Sequence, residues 1–278
     1  MSGTLYVVGT PIGNLGDLSP RAAEILGSVD FVAAEDTRVT RKLLTHFGIK
    51  KPLISYFEHN KWQRGDIILD RIETGENCAL VSDAGMPAIS DPGELLVRQA
   101  AQRGVPVAAV PGPSAVVTAL AVSGLPTGRF TFEGFLSVSK KSRREHLEEV
   151  KHEQRTMVFY EAPHKLLTTL QDMLATWGDR ELALVRELTK VHEEVRRTTL
   201  SEAVAYYTEN PPRGEFVLVI RGAEAPQEET TSLADAAARA RALMEAGASA
   251  SAAAKQAAAE TGRRKNEIYR ALSEEPQE

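Results

Sequence analysis

The feature that most constrains this chain is an alternation, through its first two thirds, of short runs rich in Val, Ala, Leu and Ile with amphipathic helical patterns. Leu5–Val8, Phe31–Ala34, Leu53–Ser55, Ala79–Ser82 and Val105–Val110 read as strands with little polar alternation. Strands of that kind are buried on both faces, as in a mainly parallel sheet covered by helices. The spacing therefore predicts an α/β domain over residues 1–113. The pattern restarts with strands at Phe130–Phe135, Thr156–Tyr160, Leu182–Arg186 and Glu215–Ile220 and helices at Arg143–Lys151 and Lys165–Trp177, which predicts a second α/β domain over 114–222. Arg196–Thr199 alternates more, and with Glu215–Ile220 it predicts antiparallel pairing near an edge. Residues 223–231 are acidic and poor in apolar side chains, as an exposed linker is, and an alanine-rich helical domain is expected over 232–278.

Composition narrows the classes. No apolar run approaches the roughly 20 residues that span a bilayer, and the first residues lack a basic, secretory-type start, so a cytoplasmic protein without membrane contact is expected. Cys78 is the only cysteine, which excludes an internal disulfide and a Cys-based zinc cluster; a small buried hydrophobe on a strand accounts for it. The six histidines are scattered without an HExxH-type pair, so no metal is expected. With a formal net charge of −5, any contact with nucleic acid must be local.

Four strand-to-helix loops stand out, and such loops are where open α/β sheets bind ligands. Gly9–Asp17 has glycines spaced unlike either nucleotide-binding fingerprint. Ser82–Glu94 ends with Asp91 as an expected helix cap, Pro92 at the first helical position and Glu94 at capping-box spacing, yet capping leaves Ser82–Ser90 unexplained. Val110–Ala115 places Ser114 to cap a long apolar helix or to meet a ligand. In Tyr160–Lys165, Glu161 closes an apolar strand, where a carboxylate is unusual and favours function over capping.

Together, Gly9–Leu15, Ala34–Arg38, Ser82–Gly93, Pro111–Ala115, Arg186–Lys190 and Gly214–Glu215 resemble the ribosomal RNA small subunit methyltransferase I family, within the tetrapyrrole methylase fold. The resemblance runs through nearly the whole chain in order. It implies two α/β domains with S-adenosylmethionine in the cleft between them, a homodimer, and 2′-O-methylation of a cytidine at the decoding centre of 16S rRNA in the small subunit. Mapped onto this chain, it implies cofactor contacts from Ala84, Gly85, Met86, Ile89, Ser114, Ala115 and Leu188. Ser137 and Lys165 depart from the proline and arginine expected there.

Methyl transfer from a sulfonium needs the hydroxyl held in line with the methyl carbon, and orientation alone can supply roughly 7–11 kcal/mol. A ribose hydroxyl is a weak nucleophile, so a base or hydrogen-bond acceptor is expected; Asp36, Glu161 and Glu187 all stand at predicted strand ends and remain equal candidates. Asn14, Arg38 and Lys190 are placed to meet RNA, although a solvated helix face opposite a stripe of Val39, Leu43, Leu44 and Phe47 also accounts for Arg38. Lys140, Lys141, Arg143 and Arg144 form the densest basic run and the better RNA candidate. In the tail, helices are predicted at Leu233–Ala246, Ser251–Glu260 and Arg263–Ser273, with Ala258, Gly262 and Ile268 at helix-turn-helix positions. Arg263 and Arg270 then share a face that would meet RNA, or would merely be solvated. Two other functions share these features: a tetrapyrrole C-methyltransferase on the same fold, and a non-catalytic RNA-binding assembly factor.

Overall fold

The computed structural model describes residues 2–224 and 232–273. The chain divides into two compact units, Met1–Ala223 and Glu224–Glu278. In the first unit β1 (Leu5–Val8), β2 (Phe31–Ala34), β3 (Leu53–Ser55), β4 (Cys78–Val81) and β5 (Val107–Val110) form a parallel sheet in the order β3-β2-β4-β1-β5. Alternate strand residues go to opposite faces, and both faces are covered. Leu5, Phe31, Ala33, Cys78 and Leu80 pack against α3 (Lys61–Glu73) and α4 (Gly93–Gln102) through Ile68, Leu69, Ile72 and Leu96. Val8, Val32, Ala34, Ala79 and Val81 pack against α1 (Pro20–Ser28) and α2 (Thr37–His46) through Ala22, Leu26 and Leu44. A fully buried Leu, Ile or Phe is worth about 1.5–3 kcal/mol, which is why no polar residue interrupts these runs.

The strand order sets up the site. β4 lies between β2 and β1, and β1 between β4 and β5, so the loops leaving all four strands emerge side by side. Register sharpens this: Ala34 pairs with Val81 and Val8 with Val110, so each neighbouring pair of strands ends level.

The second sheet comprises β6 (Phe130–Phe135), β7 (Thr156–Glu161), β8 (Glu181–Arg186), β9 (Glu194–Thr199) and β10 (Phe216–Ile220), in the order β6-β7-β10-β8-β9. β6 runs parallel to β7 and every other pair is antiparallel. The alternating β9 lies at the edge and pairs antiparallel as expected, but its partner is β8; β10, expected with it near the edge, is wholly apolar, wholly buried and central between β7 and β8. On one face α5 (Ala115–Ser123) lays Val116, Ala119 and Leu120 over Val158, Ala183, Val185 and Val217. On the other, α6 (Lys140–Glu149), α7 (Pro163–Trp177) and α8 (Leu200–Glu209) cover Met157, Phe159, Leu182, Leu184 and Leu218. Phe216 pairs with both Glu161 and Arg186, which brings the ends of β7 and β8 and the start of β10 to one edge.

Several local expectations differ from the structure. On α2 the covered face carries Thr40 with Leu44, four residues apart, while Val39 is 41% exposed. Helix α4 begins at Gly93, because Pro92 already has helical backbone angles and occupies the cap position itself, so the expected capping box is not formed. Asp91 instead accepts from the backbone N–H of both Ala88 and Gly93, tying the loop to the helix. Helix α6 starts at Lys140 rather than Arg143.

In the second unit α9 (Leu233–Glu245), α10 (Ala250–Thr261) and α11 (Lys265–Ser273) surround Ala236, Ala240, Ala253, Ala254, Ala257 and Ile268. Alanine lets three short helices approach closely, and Gly262 turns the chain in the left-handed region between α10 and α11, as its place in the motif predicts. Most of the expected linker, residues 225–231, lies outside the described residues.

Candidate active site

The loops at the carboxyl edge of the parallel sheet are joined by backbone contacts. Thr10 and Gly85 exchange two N–H···O=C bonds, of 2.9 and 3.1 Å, and the buried Thr10 hydroxyl donates to the Ser82 carbonyl. On the other side Gly9 meets Gly112 so closely that a Cβ on Gly9 would sit 2.7 Å from the Gly112 Cα. Only glycine at both positions lets the loops after β1 and β5 touch. Gly85 has φ +83°, and Ala88 and Ser90 hold φ 67° and 68°, a left-handed conformation that costs a non-glycine residue of order 1–3 kcal/mol. The paired bonds to Asp91 hold that strained segment.

This edge forms one wall of a cavity of about 500 Å³, within the range of small-molecule sites. Ile12, Ala84, Gly85, Met86, Ile89, Ser114 and Ala115 line it from the first sheet and α5. Tyr160, Val185, Leu188, Phe216 and Val217 line it from the second. All seven residues expected to meet a cofactor are thus brought around one space. Ser114 stands at the N-cap of α5 yet its side chain makes no cap bond, so the hydroxyl is left for the cavity.

The three expected carboxylates are held differently. Asp36 does not line the cavity; it accepts from the Arg38 N–H as the cap of α2 and pairs with the Arg38 guanidinium at 2.6 Å, which holds its carboxyl down at about 2. Glu187, at φ +51°, also lies off the cavity lining and accepts from the Glu215 N–H and the Lys190 ammonium, which keep its pKa low. Glu161 does line the cavity, but it is buried with both oxygens engaged: one by the Ala162 N–H and Lys165, the other by the Thr169 hydroxyl at 2.6 Å. Sequence reasoning passed over three carboxylates on the cavity wall, Glu35, Asp83 and Glu215, of which Glu35 is half-buried. Burial raises its pKa above the ordinary 4.5, and the nearby charges of Asp83, Asp91 and Asp36 push it the same way.

The residues expected to meet RNA are dispersed. Lys190 reaches the cavity, where Glu215 and Glu187 hold its ammonium and outweigh the cost of burial, so its pKa is raised. Arg38 is 87% exposed beside Asp36, and Asn14 accepts from the Gly16 N–H at the start of a short 3₁₀ turn. Lys140, Lys141 and Arg144 are on the outside of α6. Arg143 is not: it is buried and paired with Asp172, and it also donates to the carbonyls of Ser137 and Val138. Its place four residues before the buried Leu147 turns it inward, which removes it from any RNA-facing surface. Arg263 and Arg270 belong to the second unit, where Arg270 is exposed. Among the described residues no group of His, Cys, Asp and Glu is placed to hold a metal, and no helix is long and apolar enough to cross a membrane.

The profile of the Tetrapyrrole (Corrin/Porphyrin) Methylases family matches residues 4–204. A protein of Synechocystis sp. named ribosomal RNA small subunit methyltransferase I is 48% identical over 268 residues, covering 96% of each chain. A protein of the same name from Pseudomonas aeruginosa is 47% identical over 271 residues, again covering 96% of both. The chain belongs to the ribosomal RNA small subunit methyltransferase I family. Among solved structures, a uroporphyrin-III-C-methyltransferase from Thermus thermophilus superposes with a TM-score of 0.56 at 19% identity, covering 78% of this chain and 94% of that one. A diphthine synthase superposes with a TM-score of 0.60 at 14% identity, covering 79% and 90%. Those two establish the fold alone.

Membership of this methyltransferase family makes S-adenosylmethionine the methyl donor, and the cavity suits it. Backbone at Ala84–Met86, where Gly85 carries no side chain, and apolar side chains at Ile12, Leu188 and Val217 suit a flat purine, while Asp83 complements a donor that carries a sulfonium and an ammonium.

Proposed function

We propose that this protein methylates the ribose 2′-hydroxyl of a cytidine in 16S rRNA, at the decoding centre of the small ribosomal subunit, acting in the cytoplasm as a homodimer. The observation that carries this reading is the agreement with proteins named ribosomal RNA small subunit methyltransferase I over 96% of both chains, including the helical unit beyond the 4–204 family match. Bound in the cavity, the donor supplies an electrophilic methyl group. The chain's own part is positional. Ala84, Gly85, Met86, Ile89, Ser114, Ala115 and Leu188 hold the donor, and the two walls exclude water from around it. With donor and acceptor oriented, roughly 7–11 kcal/mol of the barrier is removed without further chemistry.

RNA meets the protein through local cations on an acidic whole: Arg38, Lys140, Lys141, Arg144 and Lys190 in the first unit, with Asn14 beside them, and Arg263 and Arg270 in the second. Of the three carboxylates at strand ends, Glu161 reaches the cavity, where it accepts from the Ala162 N–H of the lining and pairs with Lys165. The test is to incubate the protein with labelled S-adenosylmethionine and separate pools of unmodified small subunits, total transfer RNA and uroporphyrinogen. Label on a cytidine ribose of 16S rRNA is expected; label on the tetrapyrrole alone, or binding of the donor without any transfer, refutes the reading.

A further inference from the structure

Beside the donor cavity lies a second one, of about 460 Å³. Glu35, Ser90 and Asp91 line both and form the partition between them. The second space is completed by Glu58, Lys61, Trp62, Glu94 and Arg98, none of which the donor site uses. Trp62 stands on the first turn of α3 and is 62% exposed, a large aromatic face presented at a cavity rather than buried in the core. Such a face is the usual platform for an unstacked nucleobase.

The charge of the cavity selects how a nucleic acid enters. Four carboxylates, Glu35, Glu58, Asp91 and Glu94, face two cations, and Lys61 is already paired with Glu58. An acidic interior repels a phosphodiester but accepts hydrogen bonds from an exocyclic amino group, as carboxylates do with cytosine. A base and its ribose fit inside; the phosphates stay out, where the exposed Arg98 stands at the rim.

We propose that this second cavity receives the acceptor nucleoside, flipped out of its strand, with an amino-bearing base against Trp62 and the ribose hydroxyl on the partition at Glu35. This assignment rests on the reading above that a ribose 2′-hydroxyl is the acceptor. As the O–CH₃ bond forms and the S–CH₃ bond of the donor breaks, the hydroxyl proton passes to the Glu35 carboxylate and the sulfonium becomes a neutral thioether. A carboxyl whose pKa lies above its ordinary value is the better proton acceptor near neutral pH, and burial beside Asp83 and Asp91 raises that of Glu35.

Unmodified small subunits are the probe, with three measurements on each variant: the single-turnover methylation rate at saturating donor, subunit affinity in the presence of S-adenosylhomocysteine, and donor affinity by calorimetry. Glu35→Gln is expected to slow the single-turnover step roughly 10²- to 10⁴-fold, to abolish the fall in rate on acidification, and to leave both affinities unchanged. Trp62→Ala is expected to weaken subunit binding roughly 5- to 150-fold, with Trp62→Phe restoring most of it and donor affinity unaltered in both. Glu35→Gln that loses donor affinity but keeps its rate at saturating donor would assign Glu35 to the donor and overturn the proposal. So would Trp62→Ala with wild-type subunit affinity. Failure of the wild-type protein to label a ribose refutes the functional reading itself, whereas normal labelling by wild type and both variants overturns only the second cavity.

Discussion

Replacing Arg143 by alanine is expected to unfold the protein more easily rather than to weaken its hold on RNA. The Arg143 and Asp172 side chains are only 8% and 9% exposed, and the guanidinium Nε donates to Asp172 Oδ2 at 2.8 Å while another of its nitrogens donates to the carbonyls of Ser137 and Val138. Breaking a buried ion pair from one side costs about 3–5 kcal/mol, because the remaining charge is left buried. Arg144 still reaches Asp172 at 3.3 Å from a half-exposed position, so Arg143→Ala falls at the lower end, about 3 kcal/mol. Asp172→Ala leaves Arg143 only its carbonyl partners and falls at the upper end, about 5 kcal/mol. Arg143→Met combined with Asp172→Leu removes both charges and fills the space, so it should recover most of the loss. Urea unfolding followed by Trp177 fluorescence reads this region, because Trp177 lies on the same helix as Asp172 and donates to the Leu147 carbonyl of α6. With a urea slope of about 2–3 kcal/mol/M, the Arg143→Ala midpoint should fall by about 1 M. A wild-type midpoint together with weaker, less salt-dependent binding to small subunits would refute this and return Arg143 to the RNA surface.

Three further outcomes follow. Gly85→Val puts a β-branched residue at φ +83° with its Cβ 3.3 Å from the Ile12 side chain, so donor affinity should be lost while unfolding stays cooperative; unchanged affinity by calorimetric titration would move the donor site elsewhere. Glu35 has a raised pKa in the fold, so its stabilising protonation is fully present below about 4.5 and is lost as pH rises through the folded value. Glu35→Gln should therefore melt above wild type around pH 7 and level with it around pH 4; a lower melting temperature at neutral pH contradicts the charge environment described. Arg263→Ala with Arg270→Ala should weaken subunit binding and lower its salt slope by roughly 0.7–0.9 per lost phosphate contact, with donor affinity untouched; a wild-type slope would leave the helical unit without a role in RNA binding.

Much of the fold was legible because its strands are continuous apolar runs between helices, and β1, β2, β3 and β6 begin and end where the residue pattern breaks. The residues that line the cavity proposed for the donor were legible too, since Gly85 and Ser114 sit in loops longer or better furnished than a turn or cap requires. What escaped was the direction in which neighbouring side chains point. Glu35 and Asp36 are adjacent, and nothing in their order says that Asp36 becomes the cap of α2 while Glu35 faces the cavity. The same holds for Arg143 within its basic run: its spacing from Leu147 marks it as inward-facing, but four cations in five residues hide that signal. The partition at Ser90 and Asp91 depends on left-handed backbone that is held by hydrogen bonds rather than by residue type, so no pattern announces it.

The bridge between Thr10 and Gly85 and the contact between Gly9 and Gly112 have a kinetic consequence. They tie the loops after β1, β4 and β5 into a single lattice of main chain, so none of the three can swing out without breaking the others' contacts. A donor that has given up its methyl group must still leave a cavity closed on this side by a wall with no moving parts. The freedom to widen it therefore belongs to the opposite wall, where a single main-chain bond, from the Glu187 N–H to the Glu215 carbonyl, joins the segments that carry Leu188, Lys190 and Glu215, and the rest of the tie runs through side chains, chiefly Lys190's ion pairs, which exchange with water far faster than main-chain bonds open. Turnover would then be paced from the second sheet, and changes there would alter how long the spent donor stays without altering how tightly the first sheet grips it.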